Sequence, residues 1–219
     1  MTGGSKPVSL KVSEIFFSLQ GEATRVGLPT VFVRLTGCPL RCVWCDSEHA
    51  FAGGKRMSQA QIIEAVAGYG VRQVCVTGGE PLAQKGCIPL LATLCDGGYD
   101  VSLETSGALD IGGIDPRVSR IVDLKAPGSG ESERNRWENL ELLGPHDELK
   151  FVLMNRADYE WAREVITTQH LDSICPLLFS TVQGQLEPVD LAEWILADRL
   201  PVRFQMQLHK LLWGNMQGK

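Results

Sequence analysis

Residues 30–45 read TVFVRLTGCPLRCVWC, an apolar, β-branched run that breaks at a glycine into a cluster of cysteines. Its first part, Thr30–Leu35, has the composition of a strand covered on both faces. Gln73–Thr77 (QVCVT), Asp100–Glu104 (DVSLE), Arg120–Leu124 (RIVDL), Glu148–Leu153 (ELKFVL), Ser173–Phe179 (SICPLLF) and Val202–Met206 (VRFQM) continue the series. Between these runs lie helical stretches. Ser58–Ala67 has Ser58 as N-cap and Gly68 and Gly70 as stops, and Ile88–Cys95 ends at Gly97-Gly98. Ser132–Leu143, Asp158–Gln169 and Val189–Arg199 complete the set, with Trp161, Val165 and Ile166 recurring at helical spacing. Strand–helix alternation predicts a mostly parallel sheet with right-handed crossovers. Six or seven units are too few for a closed eight-unit barrel of roughly 250 residues. The expected fold is α/β, an incomplete (partial) β/α barrel with six or seven mostly parallel strands; an open doubly wound sheet is the alternative. No long linker or repeat divides residues 1–219, so one domain is expected.

The bulk numbers fit a globular protein: 219 residues, 44% hydrophobic and 21% charged, enough chain to bury a core without staples. A net charge of -5 argues against a chain-wide nucleic-acid or anionic-membrane footprint. The N-terminal residues lack the charged start, apolar stretch and small-residue cleavage site of a secretory leader, and no apolar run approaches the roughly 20 residues of a membrane span. Seven cysteines, an odd number, point to reduced thiols or metal ligands and to a cytoplasmic location.

Cys38, Cys42 and Cys45 form a Cys-x3-Cys-x2-Cys spacing directly after a strand. Thiolates favour iron–sulfur clusters, zinc or copper(I), and structural zinc usually takes four ligands. Three thiolates on a four-iron cluster leave one iron open to a small molecule, whereas His49 as a fourth ligand would suit zinc. Cys75, Cys87, Cys95 and Cys175 are scattered and read as small buried hydrophobes. Thr77-Gly78-Gly79-Glu80-Pro81 ends the next strand with two glycines, which permit close backbone approach, and a carboxylate able to accept from an ammonium group. Leu103–Gly107 and Val122–Lys125 also end strands. Polar groups at the carboxyl ends of parallel strands share one site, so Glu104, Ser106 and Lys125 are expected together.

The cysteine spacing, with Trp44 before the last cysteine and TGGEP after the following strand, resembles the radical S-adenosylmethionine superfamily. The resemblance implies a [4Fe-4S] cluster on Cys38, Cys42 and Cys45, whose open iron binds S-adenosyl-L-methionine and whose electron yields a 5′-deoxyadenosyl radical. It also implies that Gly79 and Glu80 hold the cofactor's amino group and that Trp44 lies near its adenine, although Trp44 reads equally well as core packing. Glu104, Ser106, Asp123, Leu124 and Lys125 are then expected at its ribose and methionine parts, with Phe179, Ser180, Thr181 and Val182 completing the wall.

A narrower likeness comes from both ends of the chain. Glu14–Glu22 (EIFFSLQGE), Arg34, CVWCDS, TGGEP, Gln207–Lys210 and residues 212–215 (LWGN) together resemble the 7-carboxy-7-deazaguanine synthase family. That resemblance implies ring contraction of 6-carboxy-5,6,7,8-tetrahydropterin to 7-carboxy-7-deazaguanine with loss of ammonia, a lyase reaction of queuosine biosynthesis. Short terminal extensions would complete the substrate site, with Arg34 as a planar donor fork for the carboxylate. Leu19, Gln20, Gly21, Glu22, Thr77, His209 and the terminal carboxylate of Lys219 are the other implied contacts. Ser47, two residues past the last cysteine, is implied as a Mg2+ ligand, with Asp46 supporting it. No protein residue is implied as catalytic, since the cofactor-derived radical does the chemistry. A homodimer and a flavodoxin- or ferredoxin-like reductant are implied as well. A glycyl-radical-enzyme activase shares the cysteine spacing, and a non-catalytic zinc or iron–sulfur module is the alternative from another class.

Overall fold

The computed structural model describes residues 9–214 and 216–219. Residues 1–8, read above for a leader, and Asn215 of the C-terminal motif lie outside them. The strands are β1 (Ser9–Leu19), β2 (Pro29–Leu35), β3 (Lys55–Ser58), β4 (Gln73–Gly78), β5 (Asp100–Thr105), β6 (Ser119–Asp123), β7 (Glu148–Leu153), β8 (Leu177–Thr181) and β9 (Arg203–Phe204). The α-helices are α1 (Gln59–Ala67), α2 (Cys87–Asp96), α3 (Arg156–Gln169), α4 (Pro188–Asp198) and α5 (Leu208–Trp213). Among the described residues, one sheet holds all nine strands in the order β3-β1-β2-β4-β5-β6-β7-β8-β9. From β2 to β9 neighbouring strands run parallel, while β1 pairs antiparallel with β2 and β3. β3 and β9 are its two edges and do not pair. The fold is an incomplete β/α barrel.

Local chemistry explains the elements. Ser58 caps α1 through a reciprocal pair with Gln61, its hydroxyl accepting from the Gln61 amide and the Gln61 side chain accepting from the Ser58 amide. β2 and β4 are buried along nearly their whole length, as strands covered on both faces must be. Under β7 and β8, Phe151 and Phe179 meet edge to face at 5.3 Å between ring centres, with the buried Tyr159 against Phe179 at 6.1 Å. Each such ring contributes about 2–3 kcal/mol through burial, and the single Tyr159 hydroxyl proton has two acceptors in reach, Asp198 at 2.7 Å and the Trp194 carbonyl at 2.9 Å.

Three expectations need correction. The stretch Ser132–Leu143 is not an α-helix but two 3-10 turns, Ser132–Arg134 and Trp137–Leu142. Its asparagines bind loop backbone instead: Asn135 bridges the amide and carbonyl of Lys125, and Asn139 binds the Gly107 and Leu109 carbonyls and the Ile111 amide. Side chains that pair with backbone in this way compete with the helical ladder. The run Ser173–Phe179 becomes a strand only from Leu177, after a short turn at Leu171–Ser173 and Pro176. Val202–Met206 shortens to the two residues of β9. β1, β3 and α5 add to the expected set.

Asp147 pins the start of β7. Its buried carboxylate accepts from Arg120 Nε at 2.9 Å and Nη2 at 2.6 Å, and from the amides of Arg120 and Gly144. Burial alone would raise this carboxyl, but Arg120 and the two amides outweigh it and hold the group below the usual carboxylate range. A depressed folded-state pKa stabilises the protein above the unfolded value, roughly 3.9, and is lost as pH falls through the folded value. Asp147→Asn should cost about 3 kcal/mol at pH 7 in a urea titration, and it should flatten the fall in stability below about pH 4. An unchanged midpoint at pH 7 would remove Asp147 from this role.

Candidate active site

The loops after β2, β4, β5, β6, β7 and β8 leave the same edge of the sheet because those strands are parallel. They surround a cavity of about 710 Å³. The β2 loop brings Cys38, Cys42 and Cys45 to its wall, each half-buried and unpaired. Burial pushes all three thiols up. The loop is braced within itself and from outside: the Cys45 amide donates to the Cys42 carbonyl at 3.2 Å, and the Val43 amide donates to the Ser129 carbonyl at 3.1 Å. The Arg41 guanidinium donates to the Cys38 carbonyl at 2.9 Å and lies over the Phe51 ring at 4.2 Å. The Arg41 amide donates to Glu131.

The glycines of the β4 loop interlock with this loop. Gly78, at φ 154°, packs so closely on β2 that a Cβ would lie 2.1 Å from the Leu35 carbonyl oxygen; one on Gly79 would lie 2.5 Å from the Gly37 oxygen and 2.8 Å from Cys38 Cβ. Contacts that short do not occur, so no other residue fits. The Glu80 amide then donates to the Gly37 carbonyl at 2.7 Å. The Glu80 side chain turns away from the cavity. Fully buried, it accepts from the Leu82 amide at 2.9 Å, the Thr105 hydroxyl at 2.9 Å and the Ser106 amide at 2.7 Å, and also from the Ser106 hydroxyl.

On the cavity side, Glu104 accepts from Thr77 Oγ1 at 2.9 Å and from Gln20 Nε2 at 3.2 Å. Lys125 pairs with Asp123 at 2.9 Å, and Lys150 pairs with Glu22 at 2.6 Å and lies 3.8 Å from Asp123. Burial opposes both ammonium charges; Asp123 outweighs it at Lys125, and Glu22 with Asp123 does so at Lys150, so both lysines are held above their ordinary range. Burial likewise opposes the Glu22 carboxylate, but Lys150 and the Gln207 amide outweigh it and keep the group below its ordinary value. Arg34 donates from Nε to Glu14 at 2.8 Å, and among the described residues its terminal amines have no hydrogen-bond acceptor. The C-terminal segment closes the cavity: the Leu208 amide donates to the Gly21 carbonyl at 2.9 Å, and Lys210 pairs with Asp46 at 2.9 Å. A Cβ on Gly21 would meet His209 Nδ1 at 2.2 Å.

Of the residues expected here, the cavity brings together Leu19, Gln20, Gly21, Glu22, Arg34, Ser47, Trp44, Thr77, Gly79, Glu104, Ser106, Asp123, Lys125, Thr181, Val182, His209 and Lys219 with the three cysteines. Four are not on its wall. Glu80 is committed to Thr105 and Ser106. Leu124 and Phe179 belong to the hydrophobic core, and Ser180 is buried in β8. Thr181, the last residue of β8, and Val182, just past the strand, both line the cavity. Lys150, Gln207 and Glu14 line the cavity without having been expected there as contacts. Glu14 and Gln207 carried a signal, in EIFFSLQGE and in the Gln207–Lys210 motif; Lys150 carried none. Among the described residues no three Cys, His, Asp or Glu side chains converge as ligands of one metal ion would.

Residues 32–168 match the family model for the Radical SAM superfamily. The chain is 43% identical to a 7-carboxy-7-deazaguanine synthase of Koribacter versatilis, over 93% of this chain and 97% of that one. It is 46% identical to the protein of the same name from Chlorobaculum tepidum, over 96% and 97%. The chain belongs to the 7-carboxy-7-deazaguanine synthase family. The crystal structure of QueE from Escherichia coli shares the fold, with a TM-score of 0.74 at 24% identity, covering 90% of this chain and 94% of that one.

Membership in this family and the radical SAM superfamily implies a [4Fe-4S] cluster and S-adenosyl-L-methionine. The wall fits both. Cys38, Cys42 and Cys45 are its only cysteines, so three thiolates are offered and no fourth. Beside them Asp123 keeps one buried oxygen, Oδ1, without a hydrogen-bond partner, an acceptor left for a donor from outside the protein.

Proposed function

We propose that the chain is a 7-carboxy-7-deazaguanine synthase, a radical SAM lyase that converts 6-carboxy-5,6,7,8-tetrahydropterin into 7-carboxy-7-deazaguanine and ammonia. One observation carries the reading. Gln20–Glu22 from the β1–β2 turn, and Gln207, His209 and Lys219 from the C-terminal segment, line the same cavity as the cysteines, and all lie outside the Radical SAM match. Segments particular to this family therefore complete the pocket, a role that an activase or a zinc module does not give them.

When bound, the cluster and S-adenosyl-L-methionine supply a carbon-centred radical strong enough to take hydrogen from the pterin ring. The protein's part is to bind, orient and exclude water. Arg34, fixed through Nε by Glu14, offers its terminal amines to the substrate carboxylate. Gln20, Glu22, Thr77 and His209 surround the heterocycle, with Lys219 at the same wall. Trp44, Glu104, Ser106, Asp123, Lys125, Thr181 and Val182 form the cofactor side. Since the Glu80 carboxylate is committed elsewhere, contact to the cofactor's amino group falls to the backbone of Gly78 and Gly79, which face the cavity. Ser47 is the proposed Mg2+ ligand; its hydroxyl, 3.0 Å from Asp46 Oδ1, lines the cavity beside Cys45.

The test is turnover of the carboxylated pterin by anaerobically reconstituted, reduced protein, followed through its ultraviolet-absorbing product. Absence of product would overturn the assignment. Arg34→Lys should raise KM at least about tenfold with a smaller change in kcat, because an ammonium lacks the two-pronged geometry; an unaltered KM removes Arg34 from the carboxylate site. Ser47→Ala should raise the magnesium concentration needed for half-maximal rate while iron and sulfide content stay constant, and a metal titration reads both.

The reading extends to one domain over residues 1–219, a cytoplasmic location, a homodimer and a flavodoxin- or ferredoxin-like electron donor. No helix among the described residues is long and apolar enough to cross a membrane. Size-exclusion chromatography with light scattering checks the dimer.

A further inference from the structure

We propose that Lys150 is a positioning residue for the substrate, holding the Glu22 carboxylate ionised and aimed at the pterin's paired N–H edge; this rests on the function proposed above. Lys150 sits on β7, in register with Asp123 on β6, and its side chain reaches Glu22 in the β1–β2 turn, 128 residues earlier. Its Nζ donates to Glu22 Oε2 at 2.6 Å, and Gln207 Nε2 donates to Oε1 at 2.7 Å. A carboxylate has about four lone-pair sites. Two are taken, one on each oxygen, which leaves one on each for a ligand. Two parallel acceptors match two parallel N–H donors, the arrangement at the edge of a 2-aminopyrimidinone ring. A protonated Glu22 would place a donor there and lose the match. The ionised state survives burial because of Lys150 and Gln207, in agreement with the lowered pKa of Glu22.

A purely structural role for the pair, as a tether of the β1–β2 turn, is already filled by other bonds. The Thr24 amide and hydroxyl donate to Glu148 at 2.9 Å and 2.6 Å, the Ala23 amide donates to Gln205 at 2.8 Å, and Arg25 pairs with Asp100 at 2.7 Å. Buried ion pairs are weak sources of stability, since desolvation offsets their attraction. Here Lys150 and Glu22 are 13% and 12% exposed and both line the cavity, where a desolvated charge serves a ligand.

The experiment measures 6-carboxy-5,6,7,8-tetrahydropterin affinity by anaerobic calorimetry, and KM and kcat in parallel, on cluster-loaded protein with S-adenosyl-L-methionine. Lys150→Met and Glu22→Gln should each weaken substrate binding at least about tenfold. The double variant should be no more than about twofold weaker than Glu22→Gln alone, because Lys150 acts through Glu22. Lys150→Arg should recover most of the affinity. If Lys150→Met does not fold, the double variant lacks both buried charges, and its comparison with Glu22→Gln still decides the matter. Additive losses in the double variant, or full affinity in Lys150→Met, overturn the role of Lys150 while the function stands. Failure of the unmodified protein to bind the pterin overturns both.

Discussion

Cys42→Ala yields a folded protein with no stable four-iron cluster and no detectable turnover. Cys42 lies in the middle of the β2 loop, with Cys38 and Cys45 on either side, and all three face one cavity. The other four cysteines cannot substitute. Cys75, Cys87, Cys95 and Cys175 are buried among core side chains, with burial raising each thiol. Two thiolates hold a cluster poorly, and the reaction depends on the cluster's electron, so the loss is of all activity rather than a fraction. The fold should persist because the loop's hydrogen bonds come from Arg41, Val43 and Cys45, leaving the Cys42 side chain uninvolved. Anaerobic iron and sulfide analysis with far-ultraviolet circular dichroism reads both halves. Cys75→Ala is the matching control and should keep its cluster. A loaded, active Cys42→Ala protein would dismantle the assigned site.

Glu80→Leu should be the most damaging change to stability near the cavity. The carboxylate is fully buried and takes four donors from Leu82, Thr105 and Ser106. An apolar replacement leaves those hydroxyls and amides unsatisfied in a fully buried site. The cost is about 3 kcal/mol, a sizeable part of the roughly 5–15 kcal/mol of a typical domain. Thermal unfolding should move down by about 6–12 °C. Glu80→Gln keeps one acceptor oxygen and should lose about half as much. Equal melting temperatures for Glu80→Leu and the unmodified protein would show that these bonds do not hold the β4 and β5 loops together.

Much of this was legible in the order of residues. The buried parallel strands announce themselves as short apolar runs, and the cysteine spacing, the paired glycines and the polar strand ends fall at their carboxyl ends as parallel geometry requires. β1 was harder to read. Its polar residues Ser13, Glu14 and Ser18 interrupt the alternation, and its pairing with β2 shifts register between Val12 and Glu14. Residues 132–143 carry a helix-like pattern, yet Asn135 and Asn139 find better partners in loop backbone from Gly107 to Lys125. Glu80 carries the signal of the TGGEP motif, yet a motif does not tell which way a side chain turns at a strand end. Lys150 gave no signal, since a lysine in a strand ordinarily points to solvent, and its partner Glu22 is far away along the chain.

The fit of Gly78 and Gly79 against Leu35, Gly37 and Cys38 bears on how the enzyme matures. Apart from the Cys38 Cβ these contacts are with backbone atoms, which no rotamer change can relieve, so the sulfur-bearing loop and the paired glycines fit only one way. Maturation would then load a cluster onto a loop whose course these two glycines constrain.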